Sequence, residues 1–409
     1  MLESIFSFLR KPLPKRTDGK IGVLIELASF DKGGLEKVVL DSAIAFDRNR
    51  FDVTIVTPGK VGHLGKTAME AGLKVIGLPA SNPHRAYEDV LKKSNIDVAI
   101  SHFSDAGYAL FSRYKIPNIT FIHNVYAFFS SAQKNAFLRN DRYVDCYISV
   151  SKNATRYAVQ NLGISVDKVL TVPNGLIIAE HEARDKRPLK LTRAELGLSD
   201  SDYVFANIAS YNLHKGHYLM VDAMLHLLRE RQDVKILCVG NVIYPPHVEA
   251  LRQYLAEHGL ERHILMPGYF PDVEDVHHLA DAFLLPSFIE GWSIAMNEAM
   301  FYQKPMILTD TGASAEVIEN DDIGILVPNE YGDTPNLNSK LLDELAYAPR
   351  SYKIAPVLAD AMNRMASSRE EWKSKAMEGR HKIYEHFNFS TIVKRYEEII
   401  ENVVKQKSS

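Results

Sequence analysis

Cysteine is scarce in this chain. Its 409 residues hold two, Cys146 and Cys238, each inside an apolar run. That excludes a disulfide-stapled scaffold and a cysteine-based metal cluster, and buried thiols suit a reducing cytoplasm. No apolar stretch reaches the roughly 18–20 residues a membrane-spanning helix needs. Charge of one sign is also lacking. The formal net charge is −3, so no general nucleic-acid binding is expected. The N-terminus lacks the order of a secretory signal, because the basic cluster Arg10, Lys11, Lys15 and Arg16 follows the apolar residues instead of preceding them. Leu2, Ile5, Phe6 and Leu9 fall on one helical face beside those cations. Such a face can rest on an anionic membrane, although a frayed or core-docked terminus is the plainer reading. The expected location is cytoplasmic, with peripheral contact at the inner face of a membrane.

What is present is ordinary for a globular protein: 46% hydrophobic and 24% charged residues. The length suffices for two cores. Strand and helix signals alternate from end to end. Buried strands are expected at Ile21–Ile25, Val53–Thr57, Lys74–Leu78, Val98–Ser101, Asn118–Ile122 and Tyr147–Val150. Val172-Pro173-Asn174-Gly175 breaks the series, and a polar stretch follows. Alternation resumes at Tyr203–Ala209 and continues through Lys235–Val239, Ile264–Met266, Phe283–Leu285, Pro305–Leu308 and Gly324–Val327. This pattern predicts α/β architecture, two Rossmann-like parallel-sheet domains facing across a cleft. The boundaries are 1–174 for the first domain and 175–385 for the second. The amphipathic end, about 386–409, carries Tyr396, Ile399, Ile400 and Val403 on one face.

Ligands of open parallel sheets bind beyond the carboxyl ends of the strands. The candidate residues all follow strands: Gly33-Gly34, His102, His123, Lys215 and Glu290. Glycines after a strand admit φ > 0 and close backbone approach. Lys215 could neutralise a diphosphate. His123 could bond a sugar hydroxyl, whereas His102 reads better as structural. Glu290 sits where the run Ala282–Leu285 gives way to a helix, and Glu298 is expected about two turns inside it. The backbone N–H groups at that helix start suit a phosphate. Gly65-Lys66-Thr67 does not complete a P-loop, Asp200-Ser201-Asp202 precedes a strand and reads as a linker, and the adjacent His277 and His278 make a poor metal pair.

With these residues in place, the chain resembles the family-4 glycosyltransferases of the GT-B fold over nearly its whole length. The segment PSFIEGWSIAMNEAM, residues 286–300, resembles the family's E-x7-E signature, and Gly312 and Glu316 match its continuation. Gly33-Gly34-Leu35-Glu36 resembles the N-terminal glycine loop, and Pro173-Asn174-Gly175 the turn between domains. The resemblance implies retaining transfer from a nucleotide diphosphate sugar to a saccharide or lipid-linked acceptor, with no metal and no cofactor. It implies that Glu290 contacts the donor sugar and Glu298 the ribose. The diphosphate would lie on Lys215 and the backbone at Ser293 and Ile294, with Gly33 and Gly34 closing over it. His123 would sit by the sugar or the acceptor hydroxyl, and the last helix would cross back to the first domain. Ser210 stands where an arginine is usual, Met296-Asn297 replaces an apolar pair, and Ile177 replaces an acidic residue. Two other readings use the same residues: a nucleotide-sugar epimerase on this fold, and a non-catalytic module that keeps the pocket. The stretch from Tyr126 to Arg142, with Phe128, Phe129, Lys134, Phe137, Leu138 and Arg139, is expected either to meet an acceptor or membrane or to pack as an amphipathic helix.

Overall fold

A computed structural model of the chain describes residues 16–31 and 33–408. The apolar–basic N-terminal segment therefore lies outside the described residues, apart from Arg16.

Strands β1 (Ile21–Leu27), β2 (Phe51–Thr57), β3 (Lys74–Gly77), β4 (Val98–His102), β5 (Asn118–Ile122), β6 (Cys146–Ser149) and β7 (Val169–Thr171) form the first sheet. All its pairings are parallel, in the order β3-β2-β1-β4-β5-β6-β7. Strands β8 (Tyr203–Ile208), β9 (Val234–Val239), β10 (Ile264–Gly268), β11 (Ala282–Leu285), β12 (Met306–Thr309) and β13 (Gly324–Val327) form the second. It too is parallel, in the order β10-β9-β8-β11-β12-β13. Strand order reverses between β1 and β4 in one sheet and between β8 and β11 in the other. Such switch points leave a crevice beyond the strand ends.

The central strands are apolar on both faces because helices cover both. On β1, Val23, Ile25 and Leu27 pack with the last helix, whereas Leu24 packs with Tyr87, Leu91 and Phe111. That last helix, Phe389–Ser408, belongs to the first core. Tyr396 meets Phe121 edge-on at 5.2 Å, and Glu397 accepts bonds of 2.8 Å from the Asp47 amide and from Arg50. The chain therefore crosses between sheets twice. The two crossings are joined where Leu176 N–H donates to Phe387 O at 2.8 Å and Phe389 N–H donates to Leu176 O at 3.0 Å.

Both cysteines are buried and unpaired. Among the described residues, no helix is long and apolar enough to cross a membrane. The stretch after His123 packs inward: Tyr126 and Phe129 are buried, Phe137 stacks on Tyr147 with ring centroids 6.0 Å apart, and Lys134 donates to Tyr157 Oη at 3.2 Å.

Candidate active site

Strand β11 is wholly buried and ends at Leu285. Pro286, without an N–H, cannot extend the ladder. The loop that follows is tied to its neighbours through its carbonyls. Ser287 O accepts from Thr309 Oγ1 at 2.6 Å and Asn329 Nδ2 at 3.0 Å, and Phe288 O accepts from Tyr331 Oη at 2.8 Å. This fixes Glu290, whose Oε1 accepts from Lys215 Nζ at 2.6 Å and from Ser287 Oγ at 2.7 Å. Lys215 ends a 3-10 turn after β8, capped by Asn212. Gly216 then starts the helix His217–Leu227 with φ +70°. A Cβ there would also lie 2.0 Å from Pro286 O, so only glycine brings this turn against the β11 loop. The two switch-point strands β8 and β11 thus deliver a cation and a carboxylate to one place.

Ser293 caps the helix Ile294–Phe301, its Oγ accepting from Met296 N at 3.4 Å. Glu298 lies one turn inside this helix, not two, because the helix begins at Ile294. Its carboxylate is 4.0 Å from His181 Nε2 and its side chain is 14% exposed. Burial pushes the Glu298 carboxyl up to about 7, helped by Glu274 and opposed by Arg184. Burial drives His181 down to about 4, and the fields of Arg184 and Lys37 act in the same direction. Glu290 and Glu298 therefore sit in different settings, one ion-paired and one poised near neutrality.

The first domain meets this loop directly. Asn124 and Gly291 form an antiparallel bridge, and Val125 N–H points to Glu290 O at 3.4 Å. A Cβ on Gly291 would fall 1.8 Å from His123 O. His123 is thereby held beside Glu290, and its Nε2 lies 2.8 Å from His102 Nδ1. Phe121 stacks on both rings, with centroids 4.4 Å from His102 and 5.4 Å from His123. Burial pushes His123 down to about 4 and His102 well below its ordinary value, aided by His123. Burial thus disfavours the charged form of both imidazoles.

Gly33 and Gly34 lie on the β1 side. Gly33 has φ 172°, extended backbone that any residue adopts, so the expected left-handed turn is not used there. A Cβ on Gly34 would meet nothing within 4 Å, so its backbone is uncovered. Ser210 follows β8, half-buried, and its carbonyl accepts from Asn212 N at 2.7 Å. It supplies no charge where a cation is usual.

Several contacts escape sequence reasoning. Asn297, fully buried, accepts from Trp292 Nε1 at 2.9 Å and donates to Asn174 O at 3.0 Å. Asn174 Nδ2 in turn donates to Trp292 O at 3.3 Å. The Asn297 departure thus fastens the interdomain turn to the signature helix. Glu316 accepts from the Lys152 amide at 2.6 Å, a further link between domains. Among the described residues, no three His, Cys, Asp or Glu side chains gather as a metal site.

Comparison with known proteins follows this division. Residues 32–180 match a family model described as Glycosyltransferase Family 4, and residues 190–344 match one described as Glycosyl transferases group 1. The chain is 26% identical over 220 residues to N-acetyl-alpha-D-glucosaminyl L-malate synthase of Bacillus anthracis, covering 54% of this chain and 51% of that protein. It is 30% identical over 168 residues to the lipopolysaccharide core biosynthesis mannosyltransferase LpsB of Rhizobium meliloti, covering 39% and 47%. The chain thus spans about half the length of these relatives. In fold it is similar to Anabaena HepE in complex with UDP-glucose, with TM-score 0.76 and 17% identity over 93% of this chain and 100% of the other.

Proposed function

Because this chain belongs to the family-4 glycosyltransferases and has the GT-B fold, we propose that it transfers a sugar from a nucleotide diphosphate sugar to an acceptor hydroxyl with retention, in polysaccharide or glycoconjugate synthesis. The observation that carries the reading is the Lys215–Glu290 pair at 2.6 Å, on the loop that the Asn124–Gly291 bridge ties to the first domain. The donor's ribose binds Glu298, its diphosphate lies between Lys215 and the backbone at Ser293 and Ile294, and its sugar faces Glu290. The acceptor oxygen attacks the anomeric carbon while the bond from that carbon to the β-phosphate oxygen breaks. The acceptor proton passes to the departing phosphate oxygen. On this reading the protein positions the reactants and offsets developing charge through Lys215, with neither a metal nor a cofactor.

The test is a panel of nucleotide sugars screened by thermal shift, since a ligand of the native state raises Tm by linkage. Nucleotide release with candidate acceptors is then measured for wild type and Lys215→Ala. A donor-dependent Tm rise and a turnover loss of about 10²–10³-fold in the variant are expected. Conversion of the sugar nucleotide without any acceptor would make the protein an epimerase. Donor binding with no release under any acceptor would make it a binding module.

A further inference from the structure

A circuit of three hydrogen bonds begins and ends on Trp292, the residue before Ser293. Trp292 Nε1 donates to Asn297 Oδ1 at 2.9 Å, Asn297 Nδ2 donates to Asn174 O at 3.0 Å, and Asn174 Nδ2 donates back to Trp292 O at 3.3 Å. We propose that Trp292, Asn297 and Asn174 are positioning residues: they aim the Ser293 N–H at the donor's diphosphate and fix that aim to the connection between the domains. The inference deepens the donor-site reading above and rests on it for the identity of the ligand.

The geometry of one peptide unit is the first argument. Trp292 O and Ser293 N belong to the same planar, trans peptide. Its carbonyl and its N–H point in opposite directions, so a bond that holds the oxygen also aims the N–H. Asn174 Nδ2 supplies that bond. Ser293 is the cap residue of its helix, so no intrahelical carbonyl takes its N–H.

Burial is the second. Asn297 is wholly buried, and Trp292 and Asn174 are buried beside it. Opening any of the three bonds strands a donor away from water, which favours one arrangement of the circuit. A leucine at 297 would fill similar space but would bond neither the indole nor the Asn174 carbonyl.

Attachment is the third. Asn174 stands on the first crossing between the sheets. The Trp292 ring meets Phe387, on the second crossing, edge-on with centroids 4.9 Å apart. The crossings are fused where they meet: Leu176 N–H donates to Phe387 O at 2.8 Å, and a Cβ on Gly175 would lie 2.6 Å from Phe389 Cα. The residue that sets the phosphate-facing peptide thus touches both connections to the first domain.

The experiment uses the full chain and three pairs of probes: uridine, guanosine and adenosine, each with its diphosphate. Calorimetry gives Kd for the diphosphates and ligand-observed NMR gives it for the nucleosides. For the pair that binds wild type, the ratio of nucleoside Kd to diphosphate Kd isolates what the diphosphate contributes. That ratio should fall at least threefold in Asn174→Ala and in Asn297→Leu, toward the roughly tenfold that one hydrogen bond to a charged group is worth. Asn297→Leu strands the indole N–H and should lower Tm. Adding Trp292→Phe should restore part of that Tm but not the ratio. A ratio that changes less than threefold in both single variants, as when nucleoside and diphosphate weaken alike, overturns the proposal. So does a ratio that recovers together with Tm in the double variant, which would make the circuit a packing feature. A diphosphate that binds with an indifferent ratio sinks this proposal alone, whereas a wild-type protein that binds none of the diphosphates sinks the donor reading and the proposal with it.

Discussion

Replacing Gly291 by alanine should separate positioning from binding in this protein. The added Cβ would lie 1.8 Å from His123 O, 2.7 Å from His123 C and 3.0 Å from Asn124 Cα. All three are backbone atoms, so no side chain can rotate away. Ordinary contact begins at 3.4 Å, so the two loops must part by about 1.6 Å. That breaks the Asn124–Gly291 bridge and the 3.4 Å approach of Val125 N to Glu290 O. Relief comes from parting two loops, not from crowding a core. The stability cost should therefore fall near the lower end of the ~1–3 kcal/mol typical of overpacking. Turnover should suffer more, since a displacement near 1 Å at a reacting centre costs about 10²-fold. Lys215, Glu290, Ser293 and Glu298 all belong to the second domain, so donor affinity should change by no more than a few fold. The assay is steady-state nucleotide release with donor affinity from thermal shift. A variant with wild-type kcat would refute the idea that the His123–Gly291 contact sets the cleft. Loss of donor affinity in proportion to kcat would place the damage in the donor site itself.

Three further outcomes follow from the electrostatics. Glu298→Gln should stabilise the unliganded protein at pH 8 but much less at pH 5: a carboxyl pushed up to about 7 lowers stability as pH rises from the unfolded value of 4.5 and holds that cost above 7, so the gain at pH 8 approaches ~3 kcal/mol; equal Tm differences at both pH values would count against it. His217 and His247, buried with ring nitrogens 3.1 Å apart, are held neutral down to about 3 and about 4. The unfolded chain takes up their protons near pH 6.5, so stability should be full above 6.5 and fall toward pH 4 by ~1.4 kcal/mol per pH unit per histidine; a melting temperature flat from pH 7 to 4.5 would contradict this. Lys215→Ala leaves the 10%-exposed Glu290 carboxylate without its cation; adding Glu290→Gln should recover the lost Tm but none of the turnover, and recovery of both would remove Lys215 from the chemistry.

Legibility followed the range of the forces involved. The parallel strands appear in the sequence because two-sided burial demands unbroken apolar runs, and those runs locate the loops that bear Lys215 and Glu290. Runs of this kind also mislead at their ends. β1 was expected to stop at Ile25 but continues to Leu27, carrying Glu26, which is wholly buried against the Tyr87 hydroxyl with its carboxyl pushed up by burial. A charged residue ordinarily ends an apolar run, and the Tyr87 phenol, with Ser104 and the Gly107 backbone, makes this one tolerable. The start of the signature helix at Ser293 and Ile294 is where it was expected, but Glu298 lies one turn inside it and not two. Ser293 marks that start by capping Met296 N, whereas the apolar periodicity of Ile294, Met296, Ala299 and Met300 gives no boundary. The aromatic stretch after His123 was expected either to meet an acceptor or membrane or to pack as an amphipathic helix. Its rings pack against one another, against Phe103 just after β4 and against Tyr147 of β6.

Sequence alone determined the α/β class, the two-domain division and the strand-following positions of the candidate residues, because burial periodicity and turn residues act over a few neighbours. It could not decide which of those residues meet. Lys215 and Glu290 are 75 positions apart, and Gly291 meets Asn124 from the other domain. Asn297 fastens the turn at Asn174, and Phe103 is bent into the left-handed region against the Tyr126 ring. These pairings depend on strand order and on how the domains close, which only the folded chain sets. They also decide the chemistry, because Glu290 beside an ammonium and Glu298 in a desolvated pocket are the same residue type in different electrostatic settings.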